Sequence, residues 1–208
     1  MCQWLLFAKA EVLRLSRLDD EHFYSLFPKA CVLVRKFGSK MIAAAADKPI
    51  LDVACGSGRN AIFFLQRGCS VICADKDLTF LQNCEARRKR MSSAPRNVLA
   101  LRCLDFKQEV WPFETGGVGG IINVHFFLPT LFPHFEDSLS PGGYLIFESV
   151  PGCGQNYLEL PTAGYVRSLL VRCFEIEHYK EKKVGPPGTN AVVTQLLARR
   201  RSESRNAA

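Results

Sequence analysis

Apolar residues along this chain follow two rhythms that change over near residue 48. Before it, residues 4–18 repeat apolar positions at helical spacing. Asp19 and Asp20 offer a cap to a second helix carrying His22, Phe23 and Tyr24, and residues 28–46 make a third helical stretch ending in alanines. After it, short runs that are almost wholly apolar (Ile50–Val53, 70–74, 98–104, 120–125 and 144–148) alternate with helical stretches at 59–67, Leu78–Lys89 and 128–139. The last of these reads as a helix despite Pro129 and Pro133, and "SPGG" at 140–143 predicts a turn into the strand that follows. Strands apolar on both faces and separated by helices predict a parallel sheet covered on both sides. The final third differs. Residues 163–170 read as a helix, and 173–179 and 191–198 as strands joined by "KKVGPPGTN", close enough to pair antiparallel.

Composition narrows the class. At 208 residues, 48% hydrophobic and 23% charged, the chain suits one sizeable α/β domain or at most two small ones, not a disordered or fibrous protein. No window holds the roughly 18 uninterrupted apolar residues of a membrane span. The start, "MCQWLLFAKAEVLRLSRL", places Glu11 early and is followed by no small-residue cleavage site, so a cytoplasmic protein without a signal peptide is expected. Nine cysteines include no Cys-x-x-Cys pair; scattered through apolar runs, they read as reduced thiols packing as small hydrophobes, with no metal site. The net charge of +7 concentrates in "EARRKR" at 85–90 and in the tail, where Arg199, Arg200, Arg201 and Arg205 oppose Glu203. Such clusters can steer RNA, and they are also ordinary solvated helix faces and termini.

The stretch "ILDVACGSGRN" at 50–60 carries the chemistry. A small-residue loop between a strand and a helix brings backbone N–H groups to a ligand without intervening Cβ atoms. Gly56-Ser57-Gly58-Arg59-Asn60-Ala61 satisfies the G-x-G-x-x-G/A pattern, but no Gly-Lys-Ser/Thr follows, so it is not a phosphate-cradling P-loop. Asp52 would repel a pyrophosphate and could instead accept from an ammonium or a hydroxyl. Asp75 closes the second strand, placed for two ribose hydroxyls, and Asp105 with Phe106 closes the third, suiting an adenine amine beside an apolar face. A cationic amino group, a ribose and an adenine without phosphate describe S-adenosylmethionine (SAM).

Together "LDVACGSGRNAIFFLQRG", "DKD" at 75–77, "LDF" at 104–106 and "SPGGYLIFES" at 140–149 resemble a class I SAM-dependent methyltransferase, and Gly58-Arg59-Asn60 with "LLARRR" at 196–201 resembles its tellurite-resistance (TehB-like) branch. The resemblance implies an α/β fold, a Rossmann-like seven-stranded mostly parallel sheet with an antiparallel C-terminal strand and helices on both faces. It also implies a division into a helical extension or lid at 1–47, a methyltransferase domain at 48–200 and a basic tail at 201–208. By the same analogy Asp52, Ala54, Cys55, Gly56, Gly58, Asp75, Lys76, Asp105, Phe106 and Asn123 form the cofactor site. Three positions depart from the pattern. Ala54 replaces the usual first glycine, "GGVGG" at 116–120 replaces an aspartate before the fourth strand, and "VGPPGTN" stands where part of the branch carries a His-Arg pair.

Methyl transfer from a sulfonium asks mainly for alignment and exclusion of water, and for a base only when the acceptor must lose a proton. His125, at the end of the fourth strand in "NVHFFLP", is the candidate base, with Asn123 two residues earlier; a core or capping histidine is the plainer alternative. "NVHFF" is not the Asn/Asp-Pro-Pro-aromatic motif that methylates exocyclic amines of bases. Trp111 and Phe113 read as core anchors or adenine contacts. Glu148, Gln155, Asn156 and Tyr157, around the loop after the fifth strand, read as selectivity residues. The expected activity is transfer of a methyl group from SAM to a small-molecule acceptor (a thiol, a metalloid or another soft nucleophile) by a monomer or homodimer. RNA or protein methylation, a non-catalytic SAM-binding protein and, last, an NAD-dependent dehydrogenase stand as alternatives.

Overall fold

In the computed structural model the described residues are 29–91, 98–150, 156–170 and 172–202; the helices expected before residue 28, His22, Tyr24, Gln155 and residues 203–208 of the basic tail lie outside them. The apolar runs are strands: β1 Ile50–Val53, β2 Val71–Asp75, β3 Leu99–Cys103, β4 Val118–Val124 and β5 Leu139–Glu148. The last third adds β6 Phe174–Lys183 and β7 Val192–Arg200. They form one seven-stranded sheet in the order β3-β2-β1-β4-β5-β7-β6. Neighbours from β3 through β5 run parallel, and β7 lies antiparallel to both β5 and β6.

Alternation along the strands sorts the core into two layers. Ile50, Ile122, Val124, Tyr144 and Ile146 join one apolar cluster with the helices α1 (Val32–Ala45), α2 (Arg59–Leu65) and α3 (Leu78–Lys89). Leu51, Val53, Ile121, Leu145 and Phe147 join the other, with α4 (Phe132–Ser138) and the single turn α5 (Tyr165–Ser168). Phe64, Phe132, Phe135 and Phe147 are completely buried, each contributing on the order of 2–3 kcal/mol by removal from water.

Prolines and glycines adjust the elements expected from the pattern. The stretch at 128–139 splits into a 3₁₀ turn, Pro129–Leu131, and α4, and both prolines fall at helix starts, where a missing N–H costs nothing. "SPGG" lies inside β5 as an irregularity: Val118 pairs with Leu139 and Gly120 with Tyr144, so the residues between bulge out, with Gly142 at φ 81°. The glycines in "GGVGG" also have a packing reason. A Cβ on Gly119 would sit 2.5 Å from the Cα and carbonyl oxygen of Ala45, and one on Gly120 2.6 Å from the Met41 side chain. Helix α1 therefore lies directly on β4.

Candidate functional site

In an open α/β sheet, ligands bind at the carboxyl edge where the strand order reverses. Here that place lies between β1 and β4, with β2 and β3 beyond. β1 ends in the loop 54–58, in which Ala54, Gly56 and Gly58 take φ of 51°, 53° and 73°. Left-handed backbone at three alternating positions turns the chain sharply into α2, with Gly58 as its N-cap. Ala54 occupies the left-handed region with a Cβ, which costs about 1–2 kcal/mol.

Two carboxylates hold the loop. Asp75, at the end of β2 and 8% exposed, accepts from Gly56 N with Oδ2 at 2.9 Å and from Asp77 N with Oδ1 at 2.9 Å. Each oxygen keeps a further lone pair. Asp52, 1% exposed, accepts from Ala61 N at 3.1 Å and so ties β1 to the first turn of α2. Burial pushes its carboxyl well above the usual range. Asn60 extends the tie, accepting from Cys31 N at 3.0 Å, and Arg87 donates to Ser57 O at 3.0 Å.

Beside the loop lies a pocket of about 290 Å³ lined by Ala54, Asp75, Lys76, Leu104, Asp105, Phe106, Lys107 and Phe126. Of the residues expected at a cofactor site, the structure brings Ala54, Asp75, Lys76, Asp105 and Phe106 together there. Asp52, Cys55, Gly56, Gly58 and Asn123 stand behind or beside its wall. Asp105 organises its own turn, accepting from Lys107 N at 3.0 Å, while Glu109 accepts from Asp105 N at 2.8 Å. Phe106 is braced by Trp111 and Phe126, at ring separations of 5.7 and 6.2 Å. Trp111 is anchored in turn, donating to Ser138 Oγ at 2.8 Å and stacking on His134. Trp111 and Phe113 thus stand behind the wall and do not line the pocket.

His125 ends β4 at φ 65°, the second non-glycine residue at this edge held in left-handed backbone. Arg59 Nη2 lies 3.2 Å from His125 Nδ1. A guanidinium only donates, so Nδ1 accepts and a neutral ring carries its proton on Nε2. That nitrogen faces Glu148 Oε1 at 3.7 Å, and His125 N donates to Glu148 O at 2.7 Å. The other carboxylate oxygen, Oε2 of Glu148, is buried without a hydrogen-bond partner, as are both amide atoms of the fully buried Asn123. Buried orphan polar atoms at a ligand edge are what an incoming polar group would satisfy. Sequence reasoning missed Arg59, Leu104, Lys107 and Phe126; Arg59 was legible only as part of a family motif, and the others only once the strand ends were in register. Tyr157 packs near Gly185 and is not among the residues lining the pocket, and the side chain of Asn156 is not described.

The residues fit a SAM-like ligand. Asp75 retains acceptors for ribose hydroxyls, Phe106 and Leu104 flank an apolar slot beside the Asp105 carboxylate, and the space above Gly56 is open to 4 Å around an imagined Cβ. Comparison with known proteins agrees. A family profile described as "Methyltransferase domain" matches residues 50–143. Among solved structures, a SAM-dependent methyltransferase from Methanosarcina mazei superposes with a TM-score of 0.59 at 16% identity, over 85% of this chain and 100% of the other. TehB from Haemophilus influenzae gives 0.57 at 14% identity, over 81% and 66%. An S-adenosylmethionine-dependent methyltransferase from Mesorhizobium loti gives 0.58 at 16%, over 81% and 98%. No curated protein matches the sequence. At such identities the structural likeness concerns the fold.

Proposed function

We propose that the chain is a SAM-dependent methyltransferase, its residues 50–143 matching a profile described as a methyltransferase domain, and that it passes the methyl group to a small, soft nucleophile such as a thiol, a selenol or a metalloid. One observation carries the choice of acceptor. The Nδ1 lone pair of His125 faces Arg59, and Nε2 faces Glu148. Neither nitrogen is left open as a base, so the acceptor must need no proton removed at the site, as holds for a trivalent metalloid, for a selenolate near neutral pH and for the minor thiolate fraction of a thiol. SAM supplies an electrophilic methyl on a sulfonium that departs as a neutral thioether. Asp75 would accept the ribose hydroxyls, and Asp105 with Leu104, Phe106 and Phe126 would hold the base. Ala54, Cys55, Gly56 and Gly58 would present backbone to the ligand, with Asp52 fixing the loop. Lys76 would stand at the pocket rim, and Asn123 would meet the amino-acid end. His125, placed with Arg59 and Glu148, would face the acceptor.

The basic clusters argue against RNA as the acceptor. Arg199 pairs with Tyr144 and Gln195 with Glu148, so the arginines of β7 sit at the amino edge of β5, opposite the pocket. Arg88 and Lys89 lie in the last turn of α3, which runs from the pocket edge toward that same far edge, and Arg87 turns back to Ser57 O in the loop. Among the described residues no helix is long and apolar enough to cross a membrane. The seven described cysteines are free, which suits a reducing cytoplasm. Of the stretch ahead of residue 48, the described part, α1, rests on the sheet.

Incubating the full chain with SAM and, separately, a small thiol, selenide, arsenite or tRNA, and following release of S-adenosylhomocysteine, tests this reading. Turnover with a soft acceptor and none with tRNA is expected; turnover with tRNA alone would overturn the acceptor class. Binding is checked apart from turnover. S-adenosylhomocysteine should raise the melting temperature, and Asp75→Ala should weaken binding by about a hundredfold or more, the worth of two hydrogen bonds to a charged acceptor.

A further inference from the structure

The side chains of three cysteines converge beneath the cofactor loop, and none of them lines the pocket. Cys55 comes from the loop, Cys73 from β2 and Cys84 from α3, and their sulfur atoms all lie within 4.8 Å of one another. All three are buried, at 7%, 0% and 0% exposure. Cys55 and Cys84 both donate to Gly56 O at 3.5 Å. Among the described residues no histidine, aspartate, glutamate or fourth cysteine joins the group. We propose that Cys55, Cys73 and Cys84 form a trithiolate site for a trivalent, thiophilic ion of the arsenic(III) kind, separate from the methyl-transfer pocket.

The chemistry of the donors selects the ion. An all-sulfur set excludes hard cations and favours soft ones. Three ligands fall short of the closed tetrahedron that a structural zinc requires, whereas arsenic(III) is complete with three bonds and a lone pair. Charge decides further. Asp52 acts electrostatically on Cys55 and Asp75 on Cys84, with Arg87 as the opposing cation on Cys84. Three thiolates around a monovalent or divalent ion would leave excess negative charge in a buried place already bordered by carboxylates, at heavy desolvation cost. Around a trivalent ion they are neutral. Binding balances without redox: arsenous acid, As(OH)₃, exchanges its three hydroxyls for three cysteine sulfurs, the three thiol protons leave with them as three waters, and arsenic stays trivalent. The bound ion would tie the loop, the second strand and α3 to one another, so binding is also stabilisation.

The test uses the full chain under a phosphine reductant, since dithiol reductants chelate arsenite. Arsenite is added, excess is removed by gel filtration, and arsenic per chain and melting temperature are measured, with zinc(II) as a parallel arm. One arsenic per chain, a raised melting temperature and protection of Cys55, Cys73 and Cys84 from alkylation on mild denaturation are expected. Binding should be lost in Cys73→Ser and Cys84→Ser and kept in Cys103→Ser, whose thiol is exposed. Alkylation mapping on the unaltered chain carries the result even if a serine variant fails to fold. Absence of stoichiometric arsenic, protection of other cysteines, or tighter retention of zinc than of arsenic would overturn the proposal.

Discussion

Exchanging Ala54 for glycine should stabilise this protein, although glycine ordinarily weakens a fold. Ala54 holds φ 51°, a conformation that costs an L-residue with a Cβ about 1–2 kcal/mol. Glycine removes that strain but adds unfolded-state entropy worth about 0.4–1 kcal/mol. The net expectation for Ala54→Gly is a gain of about 0.5–1 kcal/mol, or about 2–4 °C in Tm per kcal/mol for a chain of this size. Gly56 supplies the mirror experiment in the same loop. Its φ is 53°, and a Cβ built there meets nothing within 4 Å, so Gly56→Ala carries the backbone penalty without a clash and should lose about 0.5–1 kcal/mol. The double exchange should return to within about 0.5 kcal/mol of the parent. Equilibrium urea unfolding of the ligand-free chain, with an unchanged denaturant slope, is the assay. A second readout separates conformation from recognition. Gly56→Ala should also weaken SAM binding, because its new methyl enters the open space over the loop beside the pocket, while Ala54→Gly should not. Destabilisation of Ala54→Gly by about 1 kcal/mol or more would refute the reasoning, since no strain would then reside at that residue.

Gly58→Ala adds a steric term to the same backbone penalty, its Cβ falling 2.4 Å from Cys84 Sγ at φ 73°. A loss of about 2–5 kcal/mol by urea unfolding is expected, with the steric share recovered on adding Cys84→Ala. Gly119→Ala places a Cβ 2.5 Å from Ala45 backbone; since backbone cannot swing aside, a loss of about 3 kcal/mol or an insoluble product is expected. Asp52→Asn keeps an oxygen to accept from Ala61 N and removes the cost of a buried charge. Burial raises the Asp52 carboxyl in the folded state, so its favourable contribution is full below the ordinary carboxylate range and fades as pH climbs through the raised value. The stability advantage of Asp52→Asn over the parent should therefore widen as pH rises above the ordinary carboxylate range, and a constant gap would contradict it.

The parallel half of the sheet was legible because each strand is apolar on both faces, and β1 was placed to the residue. Strand ends elsewhere moved by a residue or more, as expected where pairing partners and not composition set the limits. The "SPGG" segment misled for a definite reason. Turn-forming residues also serve a bulge within a strand, and only the pairing of Gly120 with Tyr144 distinguishes the two. The "GGVGG" segment looked like a lost aspartate, but Gly119 and Gly120 answer to α1, a contact across many residues that no local pattern encodes. At the site, Asp75, Asp105 and Phe106 could be placed because they follow strands directly. Arg59 and Phe126 could not, because their roles depend on which strand ends stand side by side. The cysteine cluster was invisible for the same reason: Cys55, Cys73 and Cys84 share no sequence spacing and meet only through the loop, β2 and α3.

The position of β7 has a consequence for the order in which the molecule can be made. Residues 192–200 form the last strand among the described residues, yet they sit inside the sheet between β5 and β6. While a ribosome is still synthesising the segment before residue 192, β5 has a partner on its β4 side only, and its other edge of hydrogen-bonding groups stays open. At about 5–20 residues per second the interval is brief, but a chain stopped anywhere in it would carry a nearly complete cofactor edge on an unfinished, adhesive sheet. Because β6 pairs with β7, the two can form a hairpin first and dock as a unit. Completion of this sheet is then the sealing of an edge, and the emergence of β7 times it.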